Sequence, residues 1–446
     1  MPSKVYYMPD RAASIETSMV AKMLTVFDAA GFGEMIQPMD IVAIKVHCGE
    51  YNNTAYLRPV YVRALVDKVK SLGGKPFVCD TTTLSYTPFA SRTTALDEML
   101  TAERNGFTAA TLGAPFIVAD GFNGTDDVRV DLPEGFILKE AYVAKAIALA
   151  DVLIALTHFK GHPMGVVGGS IKNLGIGAQS KRGKYNVHMG GHPKYGLGQS
   201  PFYPHLCLGR DCPMWQMCEA SCPYGLFKIK EKKDGEDAIE WDREKCTNCL
   251  SHLSVNMACG VMGLTEDNFD AACAAMADAA KAVIKVVGPE KCGFINLAMD
   301  ISPACDCVPY SDRMIVPNLG VFASKDIVAL DRATLDQAKQ SPGMLGSRAQ
   351  DTGVMAPGIH KFSTAASLAG SSEDIQINVG ALNGMGSKEY ELIECPPGSP
   401  LAHLPQFDPR PVGPKLAKIF KKDPAFPFPP AEPFKRVEEV DFSKVR

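Results

Sequence analysis

The chain has 446 residues, with 46 Lys and Arg against 50 Asp and Glu, a net charge of −4 and 46% hydrophobic residues. The near-neutral balance argues against nucleic acid or anionic membrane as partners, and the length suffices for two or more cores. The longest apolar stretch, residues 141–159, is interrupted by Lys145, Asp151 and His158, so the sequence predicts no membrane span.

The first third of the chain alternates between two kinds of predicted element. Apolar, β-branched runs predict strands at residues 5–7, 41–46, 76–80, 116–119 and 152–156. Helical spacing predicts helices at residues 59–72, 91–105 and 141–150. This alternation is typical of a mostly parallel sheet with helices on both faces, so the predicted fold class is α/β.

Three of these strands end in polar segments. The segments contain Lys45, His47, Glu50, Asp80, Lys160 and His162. Because ligands of such sheets sit beyond the carboxyl ends of the strands, we expect these side chains to form one crevice. His47, Glu50, Lys160 and His162 are the candidate catalytic residues, with the histidines and the glutamate as proton carriers.

A glycine-rich segment follows at residues 165–184. Glycines let backbone N–H groups approach an anion, and Lys172, Lys181 and Lys184 add positive charge. The segment matches neither a P-loop nor a dinucleotide-binding motif, so an anion-binding loop and a flexible cover are both open. Lys45, Asp80, Lys172 and Asn173 are the candidate binding residues of the crevice. His188 and His192, further on, are either metal ligands or surface histidines.

Half of the chain's 14 cysteines lie between residues 207 and 259. They are Cys207, Cys212, Cys218, Cys222, Cys246, Cys249 and Cys259. The C-x3-C-P step at residues 218–223 and the C-x2-C step at residues 246–249 are typical of two-cluster ferredoxins. A charged turn between β-prone runs at residues 228–241 predicts a hairpin between them. We therefore expect two 4Fe-4S clusters, while structural zinc fits the spacing poorly.

Ferredoxin-style crossing assigns four cysteines to one cluster, namely Cys207, Cys212, Cys218 and Cys259. Cys222, Cys246 and Cys249 fall to the other cluster, whose fourth ligand is not determined. His252 stands at the expected offset, whereas Cys305 and Cys307 follow a predicted strand end, where this architecture places its crevice. We favour Cys305 or Cys307; an iron without a protein ligand would be open to substrate.

The α/β pattern resumes after the cysteine-rich segment. Thr265 is expected to cap a helix at residues 266–287, and strands are predicted at 294–299, 314–316 and 321–323, with a helix at 325–339. The predicted organisation is an α/β domain at 1–205, a ferredoxin-like insert at 206–262, the rest of the α/β domain at 263–395, and a proline-rich extended arm at 396–446. The arm wraps its own domain or reaches a partner subunit, as in a homodimer.

Several motifs together resemble the iron–sulfur proteins of the domain-of-unknown-function 362 family. They are Ile44-Lys-Val-His-Cys-Gly-Glu, His158-Phe-Lys-Gly-His, Gly169-Ser-Ile-Lys-Asn, Met299-Asp-Ile-Ser-Pro-Ala-Cys-Asp-Cys and Gly384-Met-Gly-Ser-Lys-Glu-Tyr-Glu-Leu. The resemblance covers most of residues 1–395. It implies the α/β fold and a ferredoxin segment, whose spacing is often more regular in the family, and it leaves the substrate open.

These patterns favour an iron–sulfur oxidoreductase of the cytoplasm of an anaerobic cell. Electrons would come from a donor such as ferredoxin or flavodoxin and pass through the clusters to a small anionic substrate in the crevice. Two alternatives are an electron-transfer or cluster-delivery protein without its own substrate, and a non-redox lyase or isomerase that uses an open cluster iron as a Lewis acid.

Overall fold

The computed structural model describes residues 2–84, 91–196, 200–231, 237–246, 259–263 and 265–398, together with residues 439 and 443. The chain divides into two units, Met1–Gly398 and Ser399–Arg446, and the predicted proline-rich arm lies almost wholly outside the described residues. Among the helices of the described ranges, none is long and apolar enough to cross a bilayer.

The described strands are β1 Ser3–Pro9, β2 Ile41–Lys45, β3 Lys75–Asp80, β4 Phe116–Val118, β5 Asp127–Asp131, β6 Glu140–Ala144, β7 Val152–His158, β8 Lys160–His162, β9 Val166–Gly168, β10 Phe227–Glu231, β11 Asp237–Trp241, β12 Cys292–Ala298, β13 Gly320–Ser324 and β14 Tyr390–Glu394. The described α-helices are α1 Met19–Ala29, α2 Pro59–Ser71, α3 Ala95–Arg104, α4 Ala109–Leu112, α5 Lys145–Ala148, α6 Ser170–Gly175, α7 Lys181–Val187, α8 Trp215–Ala220, α9 Glu266–Val287, α10 Ile327–Gln340, α11 Arg348–Asp351, α12 Phe362–Ala365 and α13 Ile375–Leu382.

Eight strands form one sheet in the order β14-β1-β13-β12-β7-β2-β3-β4. The run from β12 to β4 is parallel, and β14 is parallel to β1, whereas β13 is antiparallel to both of its neighbours. The predicted fold class, an α/β fold with a mostly parallel sheet, is therefore confirmed.

Both faces of this sheet are buried under helices. Ala43 on β2 packs into a core that includes α9 and α10, whereas its neighbours Val42 and Ile44 pack into a second core with α1 and α2. Successive residues of a strand point to opposite faces, so a strand covered on both sides reads as an unbroken apolar run. This is why the central strands were readable from the sequence.

The predicted hairpin around residues 228–241 is present as the antiparallel pair β10 and β11. The helix predicted at 141–150 is wrong, because Glu140–Ala144 pairs with β5 as strand β6 and only Lys145–Ala148 is helical. Apolar composition alone does not distinguish a short buried helix from a strand, and the pairing partner decides.

Two other segments differ from the prediction. Residues 314–316 form no strand; the buried Ile315 instead donates its backbone N–H to the Ile301 carbonyl in a loop, at 2.9 Å. The glycine-rich segment is not one long loop, since it contains β9, α6 and the start of α7. Its glycines permit close packing: a Cβ on Gly169 would lie 2.5 Å from an Asp331 oxygen.

Asp331 on α10 fixes the start of α6, the helix that carries Lys172 and Asn173. Its two carboxylate oxygens accept the backbone N–H groups of Ser170 and Ile171, at 2.9 and 2.8 Å. Asn296 on β12 donates to the same carboxylate at 2.8 Å. These bonds satisfy helix-start donors that no water can reach, since Asp331 is 2% exposed.

We predict that Asp331→Ala lowers the free energy of unfolding by about 2–4 kcal/mol, because it leaves two helix-start N–H groups and Asn296 without their acceptor in a dry site. Urea unfolding at pH 7 measures the change. The matched control is Asp351→Ala, which removes an exposed carboxylate at the end of α11 and should cost under about 0.5 kcal/mol. Equal effects of the two substitutions would contradict the role of Asp331 as the acceptor that fixes the start of α6.

Candidate active site

Four parallel strands bring their carboxyl ends to one edge of the sheet. Lys45 ends β2, Asp80 ends β3, His158 ends β7, and the loop after β12 carries Asp306. These ends border a cavity of about 210 Å³, called the crevice below. Its wall includes Lys45, His47, Asp80, Arg92, His158, Lys160, His162, Lys172, Asn173, Lys184, His188 and Cys307.

Asp80 is the centre of the first buried charge network. Its carboxylate pairs with Lys45 at 3.0 Å and with His47 Nδ1 at 2.8 Å. Lys45 also donates to the Asn173 side-chain oxygen at 2.9 Å, which joins β2 to α6. Burial opposes ionisation of Asp80, but the nearby Lys45 and His47 hold its pKa well below the usual range.

Asp306 is the centre of the second network. It pairs with Lys160 at 2.9 Å and with His158 Nδ1 at 3.1 Å, and it lies 3.7 Å from His47 Nε2. Burial works against the charge, yet Lys160 in the first place, then His47 and His158, keep the pKa of Asp306 well below its ordinary value. Asp306 also acts on Lys160. Burial lowers the pKa of Lys160, but the Asp306 carboxylate outweighs burial and the pKa is raised.

Two further lysines in the wall have no carboxylate within ion-pair distance among the described residues. Lys172 lies 3.9 Å from Cys305 Sγ, and Lys184 donates to Thr81 Oγ1 at 2.7 Å and to the Gln179 carbonyl at 2.6 Å. Burial lowers the pKa of Lys184 to about 8. Lys45 and Lys160 are neutralised by their aspartates, whereas no described carboxylate lies within ion-pair distance of Lys172 or Lys184.

The two neutral histidines of the wall are held in opposite tautomers. His162 Nδ1 accepts the backbone N–H groups of Met164 and Gly165, at 3.1 and 2.7 Å, so its proton is on Nε2. His188 Nδ1 lies 2.7 Å from the Lys184 carbonyl and must donate to it, which leaves a lone pair on Nε2. Burial lowers the pKa of each ring to about 4.

Within the described ranges, three groups of side chains have ligand atoms close enough to hold a metal ion. They are His162 with Cys305 and Cys307, His47 with Cys305 and Asp306, and Cys48 with Asp80 and Glu98, each within 4.8 Å. None of these groups combines Cys305 or Cys307 with a cysteine of residues 207–259, so their role as cluster ligands stays a prediction.

The cysteine-rich segment has its own small core, separate from the two cores of the sheet. Cys207, Cys218, Cys222 and Cys246 pack there around Phe227 and the β10–β11 hairpin. Burial raises the pKa of Cys218 to about 11, and nearby Cys259, Cys212 and Cys207 add to the rise.

The ferredoxin-style crossing pattern assigns four of these thiols to one cluster, namely Cys207, Cys212, Cys218 and Cys259. The backbone N–H groups of Gly209 and Leu226 point at the sulfurs of Cys207 and Cys222, both at 3.3 Å. Cys207 belongs to this set of four, whereas Cys222 belongs to the set predicted for the other cluster. A group of four thiols fits a four-iron cluster, in which each cysteine binds a different iron. Cys249 and His252 lie outside the described residues.

The structure brings most of the predicted crevice residues together but separates one. Lys45, His47, Asp80, Lys160, His162, Lys172 and Asn173 all border the crevice. Glu50 does not; it is 2% exposed and pairs with Arg92 at 3.0 Å. Sequence reasoning missed Arg92 and Asp306. Asp306 stands between two cysteines after a strand, which was a usable signal, whereas Arg92 had none.

We predict that Asp306→Asn lowers the free energy of unfolding at pH 7 by about 3–5 kcal/mol, because it leaves the Lys160 ammonium buried without its counter-ion. The lowered pKa of Asp306 means that its contribution is complete above about pH 4 and is lost as the pH falls further. The variant should therefore lose less stability than the native protein below pH 4. Urea unfolding across this range measures both effects.

The control is Asp312→Asn, which neutralises an exposed carboxylate six residues further along the chain and should change stability by under about 0.5 kcal/mol. The double variant Asp306→Asn with Lys160→Met should lose less stability than the sum of the losses in the two single variants, because the second substitution removes the charge that the first leaves unpaired. Additive losses would show that the pair is not coupled.

Comparisons with known proteins show a family and include a distant structural likeness. The lactate racemase apoprotein from Thermoanaerobacterium thermosaccharolyticum is 15% identical to this chain, with a TM-score of 0.36. The match covers 76% of this chain and 58% of the racemase, so this chain spans less than two thirds of the length of the racemase. No curated protein matches the sequence. Residues 42–336 match the family described as Domain of unknown function (DUF362). Since the match covers about two thirds of the chain, this protein belongs to the DUF362 family.

Proposed function

We propose that this protein is an iron–sulfur redox enzyme that acts on a small anionic molecule held in the crevice. The observation that carries the proposal is that Lys172 and Lys184 lie in the crevice wall with no described carboxylate within ion-pair distance. A buried ammonium group without a counter-ion is unfavourable, and an anionic ligand removes that cost. The crevice also lies at the carboxyl edge of a parallel sheet, the usual ligand position in such folds.

The size of the crevice limits the ligand. A cavity of about 210 Å³ accommodates a molecule of few heavy atoms. Carboxylates and phosphates both suit lysine donors, and they are the ligand classes that we propose.

The chain supplies proton acceptors and donors around this anion. His188 is neutral and its Nε2 lone pair is available, so it can accept a proton from a bound molecule. Lys160 is held as an ammonium by Asp306 and can donate one. The grouped thiols of residues 207–259 are the residues that would hold clusters. Four-iron clusters supply single electrons when bound.

We predict that protein prepared without oxygen contains about eight iron and eight acid-labile sulfide per chain, and that Cys218→Ala loses about half of both, because it removes a ligand of one cluster. Iron and sulfide assays with EPR spectroscopy measure this. The control is Cys292→Ala, since Cys292 is buried in the sheet core on β12. One zinc and no sulfide would contradict the redox part of the proposal.

We predict that oxalate binds to the native protein, and that Lys172→Met or Lys184→Met weakens the binding about tenfold by removing a charge-assisted contact. Binding should also weaken as the pH rises through 8, because the pKa of Lys184 is about 8 and the neutral amine does not attract an anion. Oxalate keeps its charge over this range. Isothermal titration calorimetry at several pH values measures both effects.

Lys184→Met should abolish most of the pH dependence, and Lys388→Met, at an exposed lysine, should leave affinity and pH profile unchanged. Full iron content without any binding of oxalate, sulfate or phosphate would contradict the substrate part of the proposal. That result would favour an electron-transfer protein instead.

A further inference from the structure

The crevice contains a buried thiol pair. Cys305 is fully buried and Cys307 borders the cavity. Their two sulfurs and one ring nitrogen of His162 all lie within 4.8 Å of one another. Spacing alone suits either a soft metal ion or a reactive thiolate. The hydrogen bonds of the histidine distinguish the two.

His162 is oriented as a hydrogen-bond donor to sulfur. Its Nδ1 already accepts two backbone N–H groups, so the ring proton must be on Nε2, which lies 3.6 Å from Cys307 Sγ. A metal ion would need the Nε2 lone pair, and metal-bound histidines almost always donate from the other nitrogen. Here the other nitrogen accepts. The arrangement therefore favours a sulfur that receives a hydrogen bond.

The two sulfurs of the pair have different charged neighbours. Cys305 Sγ lies 3.1 Å from the Asp306 carboxylate and must donate its proton there. Cys307 instead lies 3.6 Å from His162 Nε2 and borders the same cavity as Lys160 and Lys172, whose positive charges favour a negative sulfur.

We propose that Cys307 is the nucleophile of the crevice and attacks an electrophilic carbonyl carbon beside the anionic group of the bound molecule. This inference rests on the proposed function, because Lys172 must hold that anionic group. In the step an S–C bond forms, the C=O π pair moves to oxygen, and this oxygen takes a proton from the Lys160 ammonium. Nothing is oxidised or reduced, so no further reactant is required.

The test is alkylation of the whole protein, without oxygen, by iodoacetate and by iodoacetamide. Both reagents form an S–C bond and release iodide, but only iodoacetate carries a carboxylate. Peptide mass spectrometry follows Cys307 at pH 7. We expect iodoacetate to modify Cys307 about tenfold faster than iodoacetamide, because a cationic cleft concentrates anions. The same chain unfolded in urea should lose this preference.

Two variants separate the nucleophile from the anion site. Lys172→Met should remove the preference for iodoacetate while Cys307 still reacts quickly with iodoacetamide. His162→Phe should slow both reagents about tenfold, because the thiolate loses its N–H donor. His162→Gln, which keeps an N–H donor, should recover part of the rate. Circular dichroism confirms that each variant is folded.

Two results would overturn the nucleophile. One is a Cys307 that reacts no faster than a thiol of the unfolded chain. The other is a stoichiometric metal ion that Cys307→Ala releases, which would make the thiol pair a metal ligand set. Fast reaction of Cys307 with equal rates for the two reagents would support the nucleophile but remove the proposed anion site, so the two failures are distinguishable.

Discussion

The buried pairing of Lys160 with Asp306, and of Lys45 with Asp80, is the constraint on which the crevice depends. Each pair joins segments far apart in the chain, and neither partner is accessible to water. A charge in such a place is tolerated only beside its opposite, so the segments that carry the partners must come together in one arrangement. The pairs therefore pre-organise the crevice before any ligand arrives, and this is what allows nearby unpaired groups to keep a fixed position.

Two groups of cysteines in this protein lie in different environments. Among the described cysteines of residues 207–259, four lie in a small core of their own, namely Cys207, Cys218, Cys222 and Cys246, and backbone N–H groups are directed at two of these sulfurs. Cys305 and Cys307 are surrounded instead by charged side chains and an imidazole at the edge of the large sheet. Thiols that hold clusters need neighbouring thiols, whereas a reactive thiol needs a charge partner. The two environments match the two roles proposed above, cluster binding for one group and covalent chemistry for the other.

Much of the sheet and of the crevice could be predicted from the sequence, because a strand buried on both faces is an unbroken apolar run and its polar end marks the functional edge. The strand β13 was predicted but its antiparallel direction was not, because direction depends on partners far along the chain. The strand β6 was predicted as a helix, because its pairing with β5 is not visible in its composition. The tautomers of His162 and His188 were also beyond reach, because a sequence does not show which nitrogen meets a backbone donor.

One topological feature has consequences for how the protein is made. Strand β1 pairs on one side with Gly320–Ala323 of β13 and on the other with Tyr390–Glu394 of β14. At a synthesis rate of roughly 5–20 residues per second, β1 waits roughly 15 to 60 s after leaving the ribosome for its first neighbour. Through that interval both of its edges carry unpaired backbone groups, which are templates for pairing with other chains. Strand β1 is thus synthesised long before both of its neighbours, and nascent chains need protection from one another until the sheet closes.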